Sequence, residues 1–324
     1  MAMTTAHALV VLPAAAHPRI IGQAEWRWWS RGRICRSEER LERLDKLLRC
    51  LGRPRCPGGA ALRYRGDSGK WPTGWVAAAD PVYFQTRLRD VVLRELRAGE
   101  VAAADLEPIF ATLQQQLGDA DGFRLERFGT NGYLVCDDAF DTPGASAAAL
   151  DGVVPDRHSP GGVSARAWHK LQGELQMLLH AHPVNQRREA AGLLPISTLW
   201  IWGGGERPPQ VEAALPVLYG SDPIFAGYWR SCSAAARPWG GDFRHCLETS
   251  ARQFVVVVPA ESRDNVRQVL HGHIGQLRKL LQRGELSRVT MLFRDGLTID
   301  LRRRDLVKFW RRMSPLLNER GADE

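Results

Sequence analysis

Apolar positions along the chain fall into two repeating patterns. The plainest is Gln253-Phe254-Val255-Val256-Val257-Val258, a β-branched run that Pro259 ends and that reads as a strand. Ala8 to Leu12 is a shorter run of the same kind, suited to the first strand of a sheet, and Leu215 to Tyr219 reads as a further short strand. Thr198-Leu199-Trp200-Ile201-Trp202 is apolar on both faces and too short for a helix, so it is expected to be a buried strand, ending at Gly203-Gly204-Gly205. Between the strands the period changes to that of a helix. Trp168, Leu171, Leu175, Leu178 and Leu179 share one face, Ser164 is placed to cap it, and Pro183 stops it near Ala181. Asn185 is expected to cap a second, short helix through Arg187 and Arg188, closed by Gly192.

Further along, Val266, Val269, Leu270, Ile274, Leu277 and Leu281 predict an amphipathic helix to about Gly284, opened by Ser262 and the acidic residues around it. Arg288–Phe293 and Leu297–Leu301, joined by Arg294-Asp295-Gly296, read as a hairpin. A last basic helix should turn Leu306, Phe309 and Trp310 inward. Near the start, Ser37 and Arg40 should open a helix that buries Leu41, Leu44, Leu47 and Leu48. Strands alternating with helices predict an α/β fold with a mixed sheet flanked by helices.

A chain of 324 residues, 44% hydrophobic, can fill one large α/β unit or two domains. Its net charge of +8 is local: Trp26 to Arg65 holds twelve Lys and Arg against four Asp and Glu, an excess equal to that of the whole chain. Trp26, Trp28, Trp29, Trp71 and Trp75 lie in or beside that arm. Interleaved Arg and Trp can stack on bases and neutralise phosphates. Solvated arginines around core tryptophans are the commoner arrangement, and nucleic-acid binding is the weaker reading. Cysteines at 35, 50, 56, 136, 232 and 246 contain no C-x-x-C pair, which argues against structural zinc. His271 and His273 point to different helix faces and make no shared metal site. No apolar run reaches the length of a membrane span, so a cytoplasmic protein with no membrane role is expected.

The candidate binding chemistry sits at the polar elbow and just beyond the buried strand. His182 and Asn185 could donate hydrogen bonds, Arg187 or Arg188 could neutralise an anion, and Gly203, Gly204 and Gly205 could offer backbone N–H groups. Asp80 is the polar residue of its segment best placed to line a cleft. The plainer account has the glycines as a flexible exit loop, His182 as a helix stop and Asp80 as a turn cap before Pro81.

His182-Pro183-Val184-Asn185, then Arg, Gly192-x-x-Pro195 and an apolar strand ending in Gly-x-Gly, resembles a segment of the archaeal-type, cofactor-independent phosphoglycerate mutases of the alkaline phosphatase superfamily. The run with Leu199-Trp200-Ile201-Trp202 resembles still more closely a bacterial group, the RpfE-type regulatory proteins. Asp80-Pro81-Val82 matches a signature of that group, with Tyr83 in place of a histidine. The likeness covers about residues 80–215. It implies an alkaline-phosphatase-like mixed sheet with a smaller α+β insert at 80–140, set between residues 1–79, which carry the basic arm, and 141–324. It also implies two metal ions, the first held by an aspartate ending strand one. Here that strand runs into Pro13-Ala14-Ala15-Ala16-His17, and Pro259 to Asp264 stands where the second ligand cluster belongs. The expectation is therefore a regulatory relative with no catalytic residues, no metal and no cofactor. Its partner would be a small phosphorylated or carboxylated metabolite or another protein. An active, metal-dependent mutase is the alternative, and a nucleic-acid-associated regulator using the arm is the second alternative.

Overall fold

A computed structural model describes residues 6–13, 23–37, 43–56, 58–97, 99–118, 122–162, 165–209, 213–250, 252–259, 266–308 and 310–311. The cap positions Arg40, Ser164 and Ser262, the inward Phe309, and the 14–17 and 260–264 stretches lie outside these. The chain forms two compact units. One comprises residues 1–54, 211–222 and 229–324; the other comprises 55–210 and 223–228. The second takes in residues on both sides of 80–140, because strands distant in sequence pair within it.

The first unit is built on a seven-stranded mixed sheet. Its core strands are β1 (Ala6–Leu12), β8 (Val217–Tyr219), β10 (Gln253–Val257) and β11 (Leu286–Phe293), and β1 lies parallel between β10 and β11. Short β9 (Ala236–Arg237) extends one edge in parallel, while β12 (Leu297–Arg302) and β2 (Arg33–Arg36) extend the other in antiparallel fashion. The expected β11–β12 hairpin is present. Ala8, Val10 and Leu12 face a core shared with α1 (Gln23–Trp29), α8 (Phe243–Thr249) and α9 (Val266–Arg283), the last contributing Leu270, Ile274, Leu277 and Leu281. α2 (Arg43–Cys50) packs on β1 and β11 with Leu44, Leu47 and Leu48 buried. Helices thus flank a mixed sheet.

In this unit the commoner arrangement of the tryptophans holds, and one expected helix does not form. Trp26, Trp28 and Trp29 are buried in the core, so the basic arm presents no row of indoles for stacking. After β12 the chain makes a 3-10 turn, Arg303–Val307, and Trp310 is exposed. The basic residues on both sides of Leu306 leave too few apolar positions to bury a whole helix face.

The second unit is an antiparallel sheet, β4 (Val91–Glu95), β3 (Trp75–Thr86), β6 (Asn131–Cys136) and β5 (Phe123–Phe128), with β7 (Thr198–Gly205) also paired to β3. Trp75 belongs to β3 and is buried, which removes a fourth tryptophan from the arm. Its helices are α3 (Gly59–Ser68), α4 (Ala103–Leu113), α5 (Arg166–His180), α6 (Pro183–Ala190) and the first six residues of α7 (Pro223–Ser231).

Unpaired strand edges expose backbone donors and acceptors, and here helix side chains stand in for missing strands. Trp168 Nε1 and Gln172 Nε2, one turn apart on α5, donate to the carbonyls of Ile201 and Leu199 on β7. On β5, the Gln114 amide donates to Phe123 O and accepts from Leu125 N.

Candidate functional site

The polar elbow between α5 and α6 is well formed, but its groups bond inward. His182, in an extended conformation, is the N-cap of α6, and Pro183 takes the first helical position, where its missing N–H costs nothing. Val184 N–H donates to His182 Nδ1 at 3.2 Å, which leaves the proton on Nε2 facing Thr112 Oγ1 at 3.2 Å. Burial, then the Arg187 charge, lowers the pKa of His182 and keeps this neutral tautomer. Asn185, expected as the cap, instead lies one turn inside. Its Nδ2 donates to Leu179 O and Ile196 O, and its Oδ1 accepts from Ile196 N. It ties the end of α5 to the chain entering β7.

Arg188 is equally committed. Its guanidinium donates to Asp105 Oδ2 at 2.7 Å, to Leu194 O and to Glu100 O. Arg187 is exposed, the one cation of the elbow turned to solvent. His182, Asn185 and Arg188 thus spend these donors on the protein's own backbone and side chains.

The three glycines lie within β7 rather than in a loop beyond it. Gly203 N donates to Pro143 O and Gly204 N to Thr142 Oγ1. Their lack of side chains serves packing: a Cβ on Gly205 would stand 3.0 Å from Gly58 Cα, and one on Gly204 would strike the Trp75 ring at 2.2 Å. Gly203, at φ +66, meets Ala60 N, so the strand lies against the start of α3. Asp80 faces inward, accepting from Arg63 Nη1 and from Trp202 Nε1, both at 2.6 Å. Arg63 is itself held over the Tyr133 ring.

Two adjoining grooves of about 420 and 500 Å³ share Phe84 and Gln176 and run along α5 in this unit. Asn185 borders the second, with its amide already engaged.

A different set of charged groups gathers beyond the carboxyl ends of the parallel strands in the first unit, where α/β folds place ligands. Arg294 N donates to Leu12 O and Arg294 Nη2 to Val258 O, so the turn after β11 closes over the ends of β1 and β10. Asp295 in that turn has a side chain only 5% exposed, and neither carboxylate oxygen has a hydrogen-bond partner. Its ion-pair partner is Arg36, at the end of β2, with Nη1 3.6 Å away, that atom also buried and without a hydrogen bond. Arg43 and Lys46, one turn apart on α2, reach in opposite directions. Arg43 pairs with Asp222 beyond β8 at 2.9 Å, and Lys46 Nζ approaches Gly296 beyond β11. The start of α2 thus spans the strand ends with cations. Sequence reading passed over these residues because Arg36, Arg43 and Lys46 looked like part of a solvated arm and Asp295 like a turn residue. The Arg-Asp-Gly turn was the available signal.

A pair of catalytic divalent ions needs several carboxylates and imidazoles that converge. Among the described residues no three His, Cys, Asp or Glu side chains do so. The two carboxylates at the strand ends, Asp222 and Asp295, each face an arginine. The donor chemistry of the described residues does not fit a two-metal centre.

No family model matches the chain. Among curated proteins it is similar to 2,3-bisphosphoglycerate-independent phosphoglycerate mutases of methanogenic archaea. It is 24% identical over 140 residues to that of Methanosarcina barkeri, covering 42% of this chain and 35% of the relative. It is 26% identical over 155 residues to that of Methanosarcina mazei, covering 45% and 38%, and 36% identical over 74 residues to that of Methanothrix thermoacetophila, covering 23% and 18%. The chain thus matches between 18% and 38% of the length of these relatives. Solved structures similar to it include a cofactor-independent phosphoglycerate mutase from Thermoplasma acidophilum, at 17% identity and TM-score 0.40 over 92% of this chain and 90% of that one. A protein from Pyrococcus horikoshii aligns at 12% identity and TM-score 0.46 over 93% and 88%. The relationship to the archaeal mutases is distant and partial.

Proposed function

We propose that the protein is a phosphoglycerate-mutase-like regulator without mutase chemistry, which binds a small phosphorylated or carboxylated metabolite beyond the carboxyl ends of its parallel strands. The observation that carries this reading is the Arg36–Asp295 pair, two charged side chains with buried atoms that lack hydrogen bonds where a ligand of this fold would sit. An anion supplies the acceptor that Arg36 Nη1 lacks, and a ligand hydroxyl supplies a donor for Asp295. Arg43, Lys46 and Arg294 add positive potential around the same strand ends. The regulatory part rests on the resemblance to RpfE-type proteins, and the distant match to the mutases supports the choice of ligand class.

Calorimetric titration with 3-phosphoglycerate, 2-phosphoglycerate and phosphoenolpyruvate tests it. Binding is expected for at least one, weakened about tenfold or more by Arg36→Ala, the cost of one charge-assisted hydrogen bond, and unchanged by Arg187→Ala. No binding of any of the three, or binding that Arg36→Ala leaves intact, refutes the assignment.

A further inference from the structure

We infer that the surface carrying Val307 and Trp310 attaches the protein peripherally to an anionic lipid surface, an activity beyond the metabolite site. The 3-10 turn that ends at Val307, and Arg311 just after Trp310, are both tied to the fold. Asp305 Oδ2 accepts from Arg302 N and its Oδ1 from Lys308 Nζ. The Arg31 guanidinium donates to Leu306 O and that of Arg311 to Gly32 O, both at 2.8 Å, so the segment is clamped to the corner between α1 and β2. Leu306 packs against the core, whereas Val307 and Trp310 are each 65% exposed. They are the exposed large hydrophobic residues among those described in the first unit.

The chain segments around them are strongly cationic. Residues 31–33 and 302–311 contain seven arginines and lysines and a single carboxylate, Asp305, which is buried against Lys308. The two arginines that bond carbonyls keep their charge. Such a surface calls for an anionic partner, and its apolar part decides which. A protein interface buries about 800 Å² on each side around a core of several apolar side chains, and two are too few. A nucleic acid would use the cations and the indole but gain little from Val307. A lipid headgroup layer accepts a shallow apolar wedge inside a cationic collar, with tryptophan at the interface. No helix among the described residues is long and apolar enough to cross a membrane, so the contact is superficial.

The test is co-sedimentation of the full chain with phosphatidylcholine vesicles, with and without phosphatidylglycerol. Binding is expected only to the anionic vesicles, decreasing with added salt and about tenfold weaker in a Val307→Ser/Trp310→Ser variant whose circular dichroism is unchanged. Absence of binding, equal binding to neutral vesicles, or an unaffected variant overturns the proposal. Binding of polyglutamate or a single-stranded oligonucleotide that the double substitution removes, with no vesicle binding, assigns the surface to a protein or nucleic acid instead and overturns it as well.

Discussion

At the scale of single residues, Asn185 separates a folding role from a binding role. Its amide makes three hydrogen bonds to the backbone at Leu179 and Ile196 in a buried position. Asn185→Ala leaves the Ile196 carbonyl and N–H without these partners, while Leu179 O keeps the His182 N–H, and each such orphan costs about 1–3 kcal/mol. The expected loss is about 3 kcal/mol in denaturant unfolding, beside a change of at most about 0.5 kcal/mol for exposed Arg187→Ala. A loss below about 1 kcal/mol for Asn185→Ala would return the amide to the list of groups available to a ligand. The sequence showed that these residues matter and where they lie, since a polar cluster beside Pro183 is conspicuous. It did not show the direction of their bonds. Asn, His and Arg serve backbone and ligand with the same atoms, and only the fold decides which is within reach.

At the scale of elements, β1 extends the legible apolar run back to Ala6 and so brings His7 into the sheet, opposite Gln253 on β10 and Arg288 on β11. Gln253 Nε2 donates to His7 Nδ1 at 3.3 Å, so Nε2–H donates to Thr290 Oγ1, which in turn donates to Asp300, the partner of Arg288. Burial first, then the Arg288 charge, lowers the pKa of His7 from 6.5 to about 4. A base whose folded pKa is depressed stabilises the fold above its unfolded pKa and loses that contribution as pH falls. Stability should therefore drop between pH 6.5 and about 4. Discounted for partial exposure, the contribution of His7 is about 2 kcal/mol. Urea unfolding at about pH 7 and about pH 5 measures it. The drop should shrink in His7→Gln, and an equal drop in the variant would mean that other groups carry it. Hydrophobic period located this strand and its partners β10 and β11. It could not reveal that one sheet face is polar at its edge, because a lone histidine before a valine run has no period to join.

At the scale of the whole molecule, the α/β class, the main helices and the β11–β12 hairpin were legible because each is a local pattern. The long-range strand pairing was not. β7 pairs with β3 across more than a hundred residues, and β6 pairs with β3 as well, so the second unit takes in segments on both sides of the expected insert. Long-range pairing of this kind leaves no trace in local spacing. The resemblance to the mutases was legible too, and it raises the sharpest question about the complete protein: whether it retains their reaction. Two-metal phosphoryl transfer depends on carboxylates free to bind cations, whereas Asp222 and Asp295 face Arg43 and Arg36. Elemental analysis of the purified chain, paired with a coupled mutase assay in added manganese or zinc, should find less than one equivalent of bound metal and no turnover above background. About two equivalents with turnover would mean that ligands come from outside the described residues and that the protein is an enzyme. If instead the arginines have taken over the role of the ions, phosphoglycerate should raise the melting temperature equally with and without a chelator, because a guanidinium holds an anion with no metal present.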